Sequence, residues 1–575
     1  MITLNNINLS SIDLSGIDLR GIKLGLEGRG GGSGDGFPVL PGDVTRWHFG
    51  GLTNEMMAAM DDPRIEDADH KGRFLSFKNF AWGGMSGVGG YSDNFSSDSW
   101  KKPSDRSDIT WTSSSFNITR VMNTGVQIYY FSAWEESESV IPEKRIIVKG
   151  LEDGQVLRYM NVGNRIIEIS QDGIYTIPSF TFKGANSYHG YSLAKKQESC
   201  NVTVEQLPLY PGFILGDGVD DSAITEKELN FEDTYTVYTA FIPFQDDPTR
   251  NMILCGKDHK KDFYMNYSSL GALSFYSANV SLTIGQSKGF NVLCCKRTSD
   301  KMVIKNLITG KSAEMPANAL IDNPGLYYLW RSITSYTYCR AAIAGQIIDN
   351  GHFSTDEEDA KVLAWHKKQY PWLFPDQAWT VTGKTNEDED RATIANITGN
   401  GNDLVLSNFG FAEGSGYNEE GEYAGYLVTD GVDDKIDSSA FKMGEDFTVV
   451  GEWKLLPVSN YNYVGIVKAN NLYVYNNASI GISIYVCSSG VRNDMEGLKS
   501  LKAICSDGRV YGEDWTEYKL SVGSYTGLLS RLYLGYNGTA YTQMAFKNLG
   551  IYNNQILSKD DCIKAYNYLQ TLKAK

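Results

Sequence analysis

Two copies of one pentapeptide gather the side chains best suited to holding an ion. DGVDD occurs at 217–221 and again at 430–434, which brings Asp217, Asp220 and Asp221 onto one tight loop and Asp430, Asp433 and Asp434 onto another. Calcium takes several carboxylate and carbonyl oxygens at once, and this spacing supplies them. Asp-Gly is also the pair that closes a turn after a strand, so a shared fold repeats it for that reason alone. The turn is the preferred reading, and the six aspartates stand as calcium candidates beside it.

Other chemistry is sought and not found. Hydrolysis of a glycosidic bond needs two carboxylates across a cleft, and on one strand they would alternate as E-x-D-x-x-E to share a face. No such strand is present. The acidic clusters 135–138 and 387–390 lie in polar stretches and read as solvated loops. The histidines (His48, His70, His189, His259, His352, His366) lack HExxH spacing, and no serine sits in GxSxG. The glycine-rich GRGGGSGDG lacks the Lys-Ser/Thr of a phosphate loop. No catalytic residue is therefore expected, and no cofactor beyond the calcium candidates. Sugars stack on exposed aromatic planes, and Tyr461, Tyr463, Tyr473, Tyr475, Tyr536 and Tyr541 lie near Asn- and Gly-rich turns. Alternation places most of these as ordinary strand residues.

The elements that must carry these residues are strands. The 575 residues include 58 Gly, 35 Tyr and only 15 Pro, a composition suited to many strands joined by glycine turns. That length allows about three to five domains. A net charge of −16 opposes attraction to phosphate backbones or anionic lipid, which disfavours nucleic acid as a partner. No run approaches the ~18 apolar residues of a membrane span, and the N-terminus has neither a basic segment nor an apolar core. Synthesis in a reducing cytosol without a signal peptide is expected. The eight cysteines show no paired spacing and read as buried free thiols.

Self-comparison sets the organisation. WHFGGLTNE at 47–55 matches WTVTGKTNE at 379–387, and GRFLSFKNFAWGGMSG at 72–87 matches GNDLVLSNFGFAEGSG at 401–416. GFILGDGVDD at 212–221 matches GYLVTDGVDD at 425–434, so the first copy carries about 116 more residues between its anchors. That is enough for a domain. Each copy reads as an antiparallel sandwich closed by one short helix, each helix with a serine cap and an acid three residues later. The expected division is 45–108 and 212–370 for the first sandwich, 109–211 for an inserted small β-sandwich, 371–378 for a hinge and 379–575 for the second sandwich.

Residues 1–26 follow another rule, with Ile2, Ile7, Ile12, Ile17 and Ile22 at a five-residue period and a leucine two places after each. This resembles pentapeptide repeats, which coil into a β-solenoid. Five units are too few to bury their own face, so an identical chain or a receiving protein is expected to cover them. Glycines through 27–44 read as a flexible tether.

The DGVDD turn, the alternating FTVVGEW and the closing IYNNQILSKDDCIKAYNYL make the second copy similar to laminin-G-like, concanavalin A-type jelly rolls. The segment TGKTNEDEDRATIANITGNGNDLVLSNFGFAEGSGYN resembles stretches of fibre or tail-associated virion proteins from phages and prophages of gut Bacteroidales, including crAss-like phages. The resemblance covers most of 45–575. It implies an all-β chain of two concanavalin A-like jelly-roll sandwiches, the first interrupted, with an N-terminal pentad-repeat anchor. It further implies a structural virion protein of a fibre or spike appendage, often trimeric, attached through 1–26 to other virion proteins and presenting lectin-like domains to host surface glycan. The alternatives are a polysaccharide-degrading enzyme of the virion and a cellular carbohydrate-binding adhesin.

Overall fold

Trp47 and Trp379, which open the matching segments, occupy one position in two sandwiches. Each is buried and donates its indole N–H to a main-chain carbonyl, of Arg73 at 3.2 Å and Asn402 at 3.0 Å. The asparagine of the shared T-N-E is a two-ended clamp. Asn54 accepts from Val88 N at 2.7 Å and donates to Val88 O at 3.1 Å, and Asn386 does the same with Tyr417 at 2.8 Å each. The residue just before each clamped one must be glycine, since a Cβ on Gly87 or Gly416 would stand 2.5 Å from the amide oxygen.

The computed structural model describes residues 36–574 except 102–106, 122–130, 136–138, 142, 162–163, 183–186, 195–199, 245–251, 257–262, 269–271, 287–288, 321–324, 332–337, 422, 457–463, 470–471, 478–480, 487–492, 497–499, 523–528 and 536–540. The pentad segment 1–26 lies outside the described residues. Every strand pairing among the described residues is antiparallel, and the fold is all-β with β-sandwich jelly rolls. Three α-helices accompany the strands among the described residues: α1 (Asn54–Ala58), α2 (Asp356–Gln369) and α3 (Lys559–Thr571).

In the first sandwich an eight-stranded sheet is built around Tyr235–Pro243 and Arg340–Asn350. It faces a second sheet of eight strands running from Arg64–Glu66 to Val280–Gln286 across a core that includes Trp47, Phe77, Phe275 and Trp330. The second sandwich repeats the plan, with Phe447–Leu455 and Met544–Asn553 at the centre of its larger sheet. α2 is capped by Thr355, whose hydroxyl accepts from Glu358 N while the Glu358 carboxylate reaches back to Thr355 N. The cap is Thr355, one residue past the serine that the sequence pattern favours. α3 is capped by Ser558 as the pattern requires.

Strand pairing moves several boundaries. Trp100–Lys101 pairs with Phe131–Glu135 inside the inserted unit and Phe95 lies in its core, so the insertion begins well before residue 109. It ends with Val202–Gln206, because Leu209 N and Tyr210 N already donate to the Gly90 and Gly89 carbonyls of the first sandwich, at 2.9 and 2.7 Å. Between these limits two five-stranded sheets close on Phe116, Ile146, Tyr191 and Val204. Segment 371–378 is no open hinge. Pro371–Leu373 is a 3-10 turn with Trp372 and Leu373 buried, and Gln377–Thr380 is a strand of the second sandwich. The tether also ends earlier than 44, since Phe37 meets Trp365 edge-on at 5.2 Å and Leu40 is buried.

The three bodies share one junction. α3 packs on the second sandwich and on the Pro371–Leu373 turn. From it Tyr568 accepts from Phe290 N of the first sandwich at 3.2 Å, and Asn567 accepts from Arg145 of the insertion at 2.6 Å. The described cysteines are buried free thiols, and no described helix is long and apolar enough to cross a membrane.

Candidate functional site

Both DGVDD loops fold as the turn reading requires. Asp217 accepts from Val219 N at 2.7 Å, and Asp221 accepts from Asp217 N at 2.8 Å. Asp430 accepts from Val432 N and Asp434 from Asp430 N, both at 2.7 Å. The loop carbonyls of Asp220 and Asp433 accept from Asn79 and Asn408, which occupy matching positions. Gly218 and Gly431 have φ of 79° and 74°, where a side chain is strained. The structure thus brings Asp217, Asp220 and Asp221 together, and likewise Asp430, Asp433 and Asp434, with one oxygen from each within 4.8 Å of the others. Backbone N–H groups engage two carboxylates of each triad, which accounts for the recurrence. The remaining oxygens are of the hard type that calcium takes.

Burial, with Asp217 and Asp220 nearby, pushes the Asp221 carboxyl up to about 7, and burial pushes Asp434 up to about 6. A raised carboxyl holds its proton more tightly in the folded chain than in the unfolded one. Its contribution to stability therefore falls as pH rises from about 4 to the folded value and is level above it. Asp221→Asn, whose side-chain oxygen still accepts from Asp217 N, is expected to flatten that decline in denaturation midpoints measured from pH 4 to 8. If calcium binds the triads, adding it at pH 7.5 raises the wild-type midpoint, raises that of Asp221→Asn less, and leaves that of the double variant Asp221→Asn with Asp434→Asn unmoved.

A second constellation was not visible as a motif. On the central strand Phe447–Leu455 of the second sandwich, the pairing with Met544–Asn553 slips between Glu452 and Trp453, leaving Lys547 as an extra residue. Next door, Ser500–Cys505 slips against Arg509–Gly512 and leaves Lys502 extra. Bulges re-aim side chains, and here both ammonium groups turn toward Glu452, Lys502 at 3.8 Å and Lys547 at 3.9 Å. Tyr426 and Gln570 also donate to Glu452, at 2.5 and 2.7 Å. The insertion supplies Glu143 and Arg145. Arg145 donates to Glu143 at 2.8 Å and lies over the Tyr566 ring at 4.8 Å, and Lys547 reaches Glu143 at 3.4 Å.

This network forms the inner wall of a cleft of about 680 Å³ between the insertion and the second sandwich, which Tyr175, Lys454, Trp515 and Tyr518 also line. The volume is that of an ordinary small-molecule site. Burial works against charge on Glu452, but Lys502, Lys547 and the Tyr426 hydroxyl outweigh it and hold the carboxyl well below its usual range. Burial likewise opposes charge on Glu143, and Arg145 and Lys547 overcome it. Through Lys547 the nearest oxygens of the two carboxylates lie no more than about 7.3 Å apart, so the pair invites comparison with the two carboxylates of a glycosidase. A glycosidase acid keeps its proton through a raised pKa, whereas this pair is held ionised. Both carboxyls are thus disposed to accept hydrogen bonds.

Of the tyrosines singled out by their turns, Tyr461, Tyr463 and Tyr536 lie outside the described residues, Tyr473 and Tyr475 are placed on the strand Leu472–Asn477, and Tyr541 is half-buried. Tyr541 does not line the cleft.

No family model matches the chain, and no curated protein matches it. Among solved structures it is similar to the Ca2+-bound exoplasmic/lumenal domain of VIP36, at 6% identity over 26% of this chain and 83% of that one, with a TM-score of 0.20. It is also similar to the binding domain of botulinum neurotoxin serotype D, at 8% identity over 60% of this chain and 89% of that one, with a TM-score of 0.26. At such scores neither likeness carries an argument, and the fold rests on the strand pairing itself.

Proposed function

We propose that the chain is a structural protein of a phage virion, part of a fibre or spike appendage, which attaches the particle to a host surface glycan through its sandwiches. The observation that carries the attachment reading is the cleft between the insertion and the second sandwich, where aromatic side chains stand beside fixed donors and acceptors. Saccharides need both, a ring face for their C–H surface and paired polar groups for their hydroxyls. The virion reading is supported by the fibre-like sequence stretch at 382–418 and by the pentad segment 1–26, which needs a covering partner. In this reading 1–26 joins three identical chains and anchors them to other virion proteins. The protein is made in the host cytoplasm, needs no cofactor for attachment and performs no hydrolysis.

Fluorescently labelled full chain is expected to coat host cells and to lose most of that binding after the surface glycans are stripped. Antibody raised against it should decorate an appendage of intact particles in electron micrographs. Equal binding to stripped cells would remove glycan as the receptor, undecorated particles would remove the virion assignment, and new reducing ends in the glycan would make the chain an enzyme.

A further inference from the structure

The two sandwiches are built on one plan, so each charge in the cleft can be compared with its counterpart in the first copy. In the first sandwich the pairing of Tyr235–Pro243 with Arg340–Asn350 slips at the same place, Ala240 opposite Gly345 and Phe241 opposite Ile343, with Ala344 as the extra residue. By ladder position Ala240 corresponds to Glu452, Ile242 to Lys454 and Ala344 to Lys547. All three residues of the first copy are buried and apolar, packed near Phe213 and Tyr370. The fold therefore does not require charge in this row, and the second sandwich bears a desolvation cost that the first avoids.

Docking of the insertion accounts for part of that charge, since Glu143 and Arg145 meet Lys547 and α3. It leaves Lys454 unexplained. Lys454 makes no ion pair among the described residues, lines the cleft and holds its ammonium 5.0 Å from the centre of the Tyr426 ring, with the Lys547 ammonium at 5.7 Å from the same ring. The wall carries Arg145, Lys454, Lys502 and Lys547 against Glu143 and Glu452, and Glu513 and Asp514 bring the lining to four cations and four carboxylates, Glu513 from an exposed position. The positive charge is therefore local, the two ammonium groups of Lys454 and Lys547 beside the Tyr426 ring.

We infer that this cleft binds a saccharide bearing a carboxylate, with the acid group set against Lys454 and Lys547 and the sugar rings along the aromatic side chains. The inference rests on the glycan-attachment reading and names the chemical class of the glycan. A carboxylate meeting a partly desolvated ammonium gains a charge-assisted hydrogen bond that a neutral sugar cannot make.

The test is calorimetric titration of the full chain with an oligogalacturonate and with a neutral oligosaccharide of equal length. The uronate is expected to bind more tightly, and less tightly as salt rises. Lys454→Met keeps the apolar stem, and it should weaken uronate binding about tenfold while leaving the neutral sugar and the melting temperature unchanged. Glu513→Gln, on the exposed rim, should strengthen uronate binding. No uronate binding, equal binding of the two sugars, displacement by acetate at the same concentration, or indifference to Lys454→Met would each overturn the inference. If labelled chain still coats cells in a glycan-dependent way while uronate binding ignores Lys454, attachment stands and this site falls. If uronate binds through Lys454 while cells are not coated, the site stands and attachment falls.

Discussion

Glu452→Ala is expected to destabilise the chain by about 3–5 kcal/mol, because it strands the buried Lys502 ammonium and the buried Tyr426 hydroxyl at once, while half-buried Lys547 keeps Glu143. Lys502 is nearly fully buried, its ammonium otherwise hydrogen-bonded to the Tyr566 hydroxyl at 2.6 Å, and the Tyr426 hydroxyl loses its acceptor. The cost comes from the unpaired groups more than from the lost pair. Removing Lys502 and Lys547 together with Glu452, as Lys502→Met and Lys547→Ala, should therefore recover about half of the loss or more. The first sandwich already lives with Ala240 and Ala344 at the corresponding places. Chemical denaturation of the three chains checks both statements. The carboxyl of Glu452 is depressed in the folded chain, so its contribution is complete above about pH 4.3 and lost as pH falls through the folded value. The gap between wild type and Glu452→Ala should shrink on acidification below that point. A gap that stays constant to pH 2 would mean that the carboxylate charge is not what stabilises this wall.

Excising the insertion is the more drastic change and is expected to be tolerated. Gly89 and Gly90 are already paired with Tyr210 and Leu209, so the two ends of the insertion leave the first sandwich side by side. Deleting 92–207 and joining Tyr91 to Pro208 through a short Gly/Ser turn closes a hairpin that exists. The deletion also removes Glu143 and Arg145 together, one charge of each sign, and leaves Glu452 with both its lysines. The product should be soluble and unfold in a cooperative transition, although it loses the cleft and with it sugar binding. Insoluble or molten material, with the isolated 377–574 segment folding well, would show that the insertion belongs to the first core.

The sequence is most legible where the two copies agree. Trp47 and Trp379, Asn54 and Asn386, and the paired DGVDD loops recur because each solves a backbone problem, a clamp or a tight turn, and such solutions need particular residues at fixed spacing. The start of the insertion was hidden because its edge strand, Trp100–Lys101, is two residues long and has no period to read. The cleft was hidden for another reason. Its charges come from three strands of the second sandwich and from the insertion, and bulges, which no local pattern announces, bring them together. A signal did exist in the disagreement between copies. Aligning TAFIP with GEWKL sets Glu452 and Lys454 against Ala240 and Ile242, polar groups where an identical fold tolerates apolar ones.

α3 follows every element that it touches, which gives the chain an order of completion during synthesis. The insertion leaves the ribosome whole before its host's strand Ile214–Asp217 is made, so the guest can fold while the Gly89 and Gly90 carbonyls still wait for their partners. The first sandwich closes next, and the second after it. Only when Asn567 and Tyr568 emerge can Arg145 and Phe290 be tied to the second sandwich. A chain interrupted ahead of Lys559 would therefore expose three finished sandwiches with their junction faces bare. That is the state in which nascent chains on one messenger would adhere to each other and need a chaperone most.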